Sequence, residues 1–281
     1  MPLAGESRSA SEEAGGGCEP SVVGPPPSGA SNPNTPEALW ADFRAALAAL
    51  TIIGRATDAT RASIGRTAAF YPAVGLAIGL GIGVLDWILR TFLSQEITSV
   101  LLVGILALLS AGRQLDGFAN TADGLIGFRG REWAIATMRD RRLGSSGAAA
   151  IFFLLILKVR SLDLISGPIR FAGLLLSPLI GRWALVALAS GARSAGSTEE
   201  VARYDPGLTS RELAIASVFG VLVTLVVAES LGLLVLIVAG LATAALRVYF
   251  DRRLGGVTGQ SLDAGAEALE TLTLIIFALA S

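Results

Sequence analysis

The chain has 281 residues, 52% of them hydrophobic and 16% charged, with a mean hydropathy of +0.64. That is too apolar for an ordinary soluble domain, so a bilayer is the expected solvent. The formal net charge of −1 argues against nucleic acid as a partner, and the absence of histidine excludes the usual zinc sites and histidine-based triads. The lone Cys18 has no internal disulfide partner. A metal would then be held by oxygen, which favours Mg²⁺, Mn²⁺ or Ca²⁺.

Residues 1–37 are rich in Gly, Pro and Glu and read as a disordered tail without the basic start and apolar centre of a secretory signal. The remainder, 38–281, reads as one membrane domain. Leu39, Phe43, Ala46, Leu47 and Leu50 share a helical face, which suits an interfacial helix or the start of a membrane element. Apolar stretches follow at 72–93, 97–111, 147–162, 171–190, 213–229, 231–248 and 266–281. They predict an all-α, polytopic integral membrane bundle of about six or seven spans, with the stretches shorter than ~20 residues tilted, broken or extended by polar turns.

Most arginines fall in 54–66, 112–146, 191–212 and 247–256, whereas the turns near 94–98, 163–170 and 229–232 hold only Arg170, with Arg90 close by. The positive-inside rule places the first group, and the polar loops with it, in the cytosol. Gly75, Gly79 and Gly83 have the small-residue spacing that lets two helices approach closely.

The polar stretch from Gly112 to Gly147 is the candidate working surface. A helix over 114–124 puts Asp116, Asn120 and Asp123 on one face at i, i+4 and i+7. Two carboxylates and an amide oxygen suit a hard divalent cation, and Gly117 and Gly124 permit close approach beside them. A solvated turn needing no ligand is the plain alternative. Arg129, Arg131, Arg139, Arg141 and Arg142 follow and can contact phosphate oxygens, which makes phosphoryl or nucleotidyl transfer the leading chemistry. Lys158, the sole lysine, and Arg182 lie within apolar runs, where a charge either serves function or snorkels outward. Gly255 to Gly259 forms a phosphate-binding nest or a bare turn, with Thr258, Asp263, Glu267 and Glu270 beside the last apolar run.

The run Asp116-Gly117-Phe118-Ala119-Asn120-Thr121-Ala122-Asp123-Gly124-Leu125, then Met138-Arg139-Asp140 and Leu143-Gly144, resembles the signature of the cobalamin synthase (adenosylcobinamide-GDP ribazoletransferase) family. Phe70 to Gly79 and Arg253 to Gly259 resemble its first-span and C-terminal signatures, in the same order, from about Leu39 to the C-terminus. The resemblance implies a transferase that joins α-ribazole or its 5′-phosphate to adenosylcobinamide-GDP with release of GMP, using Mg²⁺ at the cytosolic face of the bacterial inner membrane. Carried over, Asp116, Asn120 and Asp123 are the metal candidates, and Asp116, Asp123, Arg139 and Asp140 the catalytic ones. Asn120, Arg142, Lys158, Arg182, Thr258, Asp263 and Glu267 are the substrate-binding candidates.

The family pattern has His where Gln114 stands, Asp at Asn120 and at Gln260, and Gly at Asp263. A neutral Asn120 weakens divalent binding, Gln114 has no proton to shuttle, and Asp263, one helical turn on, can restore the carboxylate missing at 260. The open alternatives are a catalytically impaired paralogue that binds a corrinoid intermediate, a related Mg²⁺-dependent membrane phosphotransferase, and a transporter. No internal repeat favours the last. Membrane lipid, other cobalamin-assembly enzymes and a second copy of the chain are the further partners this reading admits.

Overall fold

The structure, a computed structural model, describes residues 35–53, 66–127, 129–140, 142–195 and 208–281. The expected tail through residue 34, Arg55 and Arg141 lie outside the described residues. The described residues form helices α1 (Pro36–Leu50), α2 (Tyr71–Leu89), α3 (Gln95–Leu109), α4 (Arg113–Ile126), α5 (Arg131–Arg139), α6 (Ser145–Leu164), α7 (Gly167–Ala189), α8 (Ser210–Leu254) and α9 (Gly259–Leu279). The only β-type pairing among them is an isolated bridge between Ser194 and Val257.

α1 starts just ahead of the expected boundary, where the Thr35 hydroxyl accepts from Ala38 N at 3.3 Å and Pro36 occupies the first turn. The long helices α2, α6, α7 and α9, with the two arms of α8, run between two ends of a bundle. One end gathers the start of α2, all of α4 and α5, and the α8–α9 turn; the other holds the α2–α3 and α6–α7 turns.

α8 has 45 residues, which as a straight rod would measure about 67 Å. Instead Glu229, at φ 46° and ψ −122°, reverses the chain. A Cβ on Gly232 would lie 2.5 Å from the Thr224 carbonyl oxygen, so the two arms fold against one another as an antiparallel hairpin.

Length and composition qualify three helices among the described residues as membrane-crossing, Arg66–Leu89, Gly167–Ala189 and Ser210–Leu254. A fourth is added if Gln95–Leu109 and Arg113–Ile126, bent by 87°, form one broken span. This is fewer than the six or seven expected. The lower count takes α8 as one helix although its two arms run antiparallel; in addition 97–111 yields a helix of only 15 residues, and α6 and α9 carry charges in their interiors. The outer surface is apolar, with Trp87, Phe92, Phe152, Phe153, Val226 and Leu241 exposed, as a lipid-facing surface requires.

Between apolar helices in lipid, packing must come from close fit, because lipid tails are as apolar as leucine. The small-residue stripe of α2 supplies it. A Cβ on Gly75 would lie 2.5 Å from the Pro178 carbonyl oxygen of α7, one on Gly79 2.4 Å from that of Leu175, and one on Gly83 2.6 Å from the Phe171 ring. At the far end this same helix pair is locked by Arg170, which sits buried in α7 rather than in the external turn expected from sequence. Its guanidinium donates to both Asp86 oxygens at 2.8–3.1 Å and to Ser99 Oγ at 3.2 Å, tying α2, α3 and α7 together.

Gly79→Val is therefore expected to destabilise the detergent-solubilised protein by about 3 kcal/mol or more. Gly81→Val, two residues on, meets nothing within 4 Å and is expected to stay within about 0.5 kcal/mol of the parent. Thermal unfolding of the two variants side by side checks this, and equal losses would contradict the packing described.

Candidate functional site

The polar end is built on α4. Ala111 (φ 54°) and Gly112 (φ 71°) adopt consecutive left-handed conformations, which turn the chain sharply out of α3. That is routine for glycine and strained for alanine. The α4 register then places Arg113, Asp116, Asn120 and Asp123 on one face, as the sequence spacing required. α9 crosses α4 at Gly117, where a Cβ would lie 2.5 Å from Asp263 Cβ and 3.1 Å from the Gln260 carbonyl oxygen. Only glycine allows that approach, and it brings Asp263 against the metal-candidate face.

Within this face the three candidates differ. Asp116 is exposed, and its carboxylate has no hydrogen bond or ion pair among the described residues. Asn120 is half-buried. Asp123 accepts from Gly144 N at 2.8 Å and Gly147 N at 2.7 Å, so it caps the start of α6. Both partners have to be glycines, because a Cβ on either would lie 2.4 Å from an Asp123 oxygen.

Among the described residues no three acidic, histidine or cysteine side chains converge into a ready-made cage. Mg²⁺ does not need one, since it is commonly held by one or two carboxylates, waters and substrate phosphates. The Asp116 carboxylate, the Asn120 amide oxygen and the remaining lone pairs of Asp123 form a donor set that fits it.

The downstream residues are engaged differently. Asp140 closes α5 and accepts from Arg142 Nε and Nη2 at 2.8–3.2 Å, and these hydrogen bonds hold its carboxyl below the usual carboxylate range. Arg139 is exposed, and Arg129 lies 4.8 Å above the Trp133 ring. Thr258 and Ser261 cap α9 reciprocally at 2.9 and 3.1 Å.

The Gly255–Gly259 segment is a turn in which three of the five N–H groups are bonded internally. The N–H groups of Gly255, Val257 and Thr258 donate to Asp251 O, Arg193 O and Ser261 Oγ, so they are not offered to an anion. Gln260 Nε2 donates to Met138 O at 2.6 Å, joining α9 to the end of α5.

Lys158, Arg182 and Glu267 come together below this surface in the bundle interior. Lys158 Nζ donates to Glu267 and, at 2.9 Å, to Glu270; Arg182 pairs with Glu270 and donates through Nη2 to Gln114 Oε1 at 3.0 Å. All five side chains are at most 4% exposed. The set contains two cations and two anions, so its charge closes on itself across α6, α7 and α9 and reaches α4 through Gln114. Gly181 makes room for it, since a Cβ there would lie 2.5 Å from Glu270 Cγ.

Sequence reasoning assigned no role to two residues that this geometry singles out. Glu270 is the hub of the buried network; the signal was its i, i+3 relation to Glu267 together with unpaired cations in neighbouring apolar runs. Arg113 opens α4 on the same face as Asp116 and Asn120, and was overshadowed by the arginine-rich run that follows.

The fold and site together define a helical membrane protein with an oxygen-rich, arginine-bearing site at one end of the bundle. The chain belongs to the cobalamin-5-phosphate synthase family, which it matches over residues 42–278. A relative from Geotalea daltonii is 32% identical over 75% of this chain and 85% of its own length. One from Caldanaerobacter subterraneus is 33% identical over 79% and 90%, and one from Pseudomonas fluorescens 35% over 77% and 89%. Each of these three carries the name adenosylcobinamide-GDP ribazoletransferase. No solved structure matches the chain.

The capping role of Asp123 makes a metal-independent prediction. In EDTA, Asp123→Ala is expected to lower stability by about 1–2 kcal/mol and to speed amide exchange at residues 144–148. An unchanged exchange pattern would remove the cap from the account.

Proposed function

We propose that the chain is an adenosylcobinamide-GDP ribazoletransferase, joining α-ribazole or its 5′-phosphate to adenosylcobinamide-GDP with release of GMP in late cobalamin biosynthesis. The observation that carries this is the α4 face on which Asp116, Asn120 and Asp123 stand together, in a chain whose family match spans nearly all the described residues. A ribose hydroxyl of the ribazole that the 5′-phosphate leaves free forms a bond through its oxygen to the phosphorus attached to cobinamide. The bond from that phosphorus to the bridging oxygen breaks, GMP leaves, and the hydroxyl proton is released to solvent. Mg²⁺, when held by Asp116, Asn120 and Asp123, supplies positive charge to the diphosphate.

The protein's own groups do the rest. Arg142 keeps Asp140 ionised and fixed at the end of α5, so Asp140 shapes the loop rather than accepting the proton. Arg139, exposed beside it, attracts the anionic substrate. Asp263 lies against Gly117 and adds a carboxylate next to the face that Asn120 leaves short of charge. Lys158, Arg182 and Glu267 act by holding the bundle and Gln114 in register, rather than by reaching the substrate.

The membrane is the bacterial plasma membrane, with the α4 end cytosolic and α2, α6, α7, both arms of α8, and α9 crossing it. In support, most of the described arginines lie toward the α4 end, while the opposite end has exposed Arg90 and Arg160 and an Arg170 neutralised by Asp86.

Purified protein given adenosylcobinamide-GDP, α-ribazole and Mg²⁺ is expected to release GMP. Asp116→Ala, which removes an exposed carboxylate with no structural partner, is expected to cut that rate at least a hundredfold (about 2.7 kcal/mol) while leaving the melting temperature unchanged. Release of GMP at the parental rate by Asp116→Ala would take Asp116 out of the site, and no turnover by the parent with either ribazole substrate would refute the assignment.

A further inference from the structure

Building on the ribazoletransferase reading, we infer that Arg113 binds the phosphoryl oxygens of the nucleotide-bearing substrate, with the Gln114 amide as a second donor. Arg113 is the first residue of α4, and its side-chain Nε and Nη2 are buried with no hydrogen-bond partner among the described residues. The next residue repeats the pattern: Gln114 is 1% exposed, its Oε1 is fixed by Arg182, and its Nε2 has no partner.

A buried N–H without an acceptor is costly, more so on a guanidinium, and such groups persist where a ligand completes them. Three vacant donors and no vacant acceptor on these two side chains call for an anion rich in oxygen. Nε and Nη2 lie along one edge of the guanidinium fork, which matches two oxygens of a phosphoryl group.

The surroundings support the same ligand. α4 is 14 residues long, and its N-terminal dipole favours negative charge at Arg113. Helical spacing puts Arg113 on the face of Asp116 and Asn120, so a phosphoryl group held there lies beside the metal candidates. Tyr71 at the start of α2 lies within electrostatic reach of both Arg113 and Asp263, which places all three at the α2–α4–α9 junction. The other described arginines named for phosphate are engaged or exposed: Arg129 on Trp133, Arg142 on Asp140, and Arg131 and Arg139 toward solvent. Ala111, two residues before Arg113, retains a strained left-handed conformation that sets where α4 begins.

The experiment compares equilibrium binding of adenosylcobinamide-GDP and phosphate-free adenosylcobinamide, without ribazole, to the full-length protein in detergent. Arg113→Met is expected to weaken adenosylcobinamide-GDP binding by about tenfold or more, to leave adenosylcobinamide binding unchanged, and to keep or raise the melting temperature. Arg113→Gln, which retains a neutral donor, is expected to show the same differential loss to a smaller degree and guards against misfolding of the first variant. Unchanged affinity for both ligands, or equal loss for both, overturns the inference. If the parent releases GMP while Arg113 variants bind as the parent does, this inference falls and the function stands. If the parent neither binds adenosylcobinamide-GDP nor releases GMP, both fall.

Discussion

Everything at the polar end depends on how the bundle accommodates four charges in its interior. An isolated ammonium, guanidinium or carboxylate in an apolar core is costly, and Lys158, Arg182, Glu267 and Glu270 avoid that cost only by meeting one another. Their meeting requires α6, α7 and α9 to hold one register, because a helix slipped by one turn would strand a charge. The network thus specifies the fold as much as it stabilises it. It also reaches α4 through the contact from Arg182 to Gln114, by which the interior fixes the rotation of that helix.

α4 is held from three further directions, and these contacts leave Asp116 and Asn120 unengaged among the described residues. Asp123 grips the start of α6, Gly117 admits α9 to contact distance, and Ala111 and Gly112 set the angle of entry. The result is a short helix displaying a free carboxylate and an amide beside a buried arginine edge. Such preorganisation suits phosphoryl transfer, where little covalent chemistry is asked of the protein and positioning and charge carry most of the catalysis. The glycines of this region are explained by the side chains they make way for. Gly144 and Gly147 accommodate Asp123, and Gly181 accommodates Glu270.

Much of this was legible in the sequence, because local physics wrote it. Apolar periodicity located the long helices, spacing put Asp116, Asn120 and Asp123 on one face, and the Gly75–Gly79–Gly83 stripe marked the helix contact that α7 fills. What was not legible depended on partners distant in the chain. Lys158 and Glu267 stand 109 positions apart, so nothing local to this cation in an apolar run announced its pairing with another helix. Arg170 looked like a loop marker for the same reason, with Asp86 84 positions away. The glycine-rich turn after α8 has the composition of a nest, but three of its five amides are committed to Asp251, Arg193 and Ser261. Arg113 was overlooked because clustering drew attention to the exposed arginines, whereas burial without a partner identifies a binding donor.

The most direct test of the central claim is a charge-balanced pair of substitutions in the interior, followed by thermal unfolding and GMP release. Lys158→Met alone leaves two carboxylates facing one guanidinium and is predicted to lose about 3–5 kcal/mol of stability. Adding Glu267→Gln restores neutrality and is predicted to recover most of that stability together with near-parental turnover. A single Lys158→Met variant as stable as the parent, or a double variant that folds fully yet has lost turnover, would contradict the claim that these charges hold the bundle rather than the substrate.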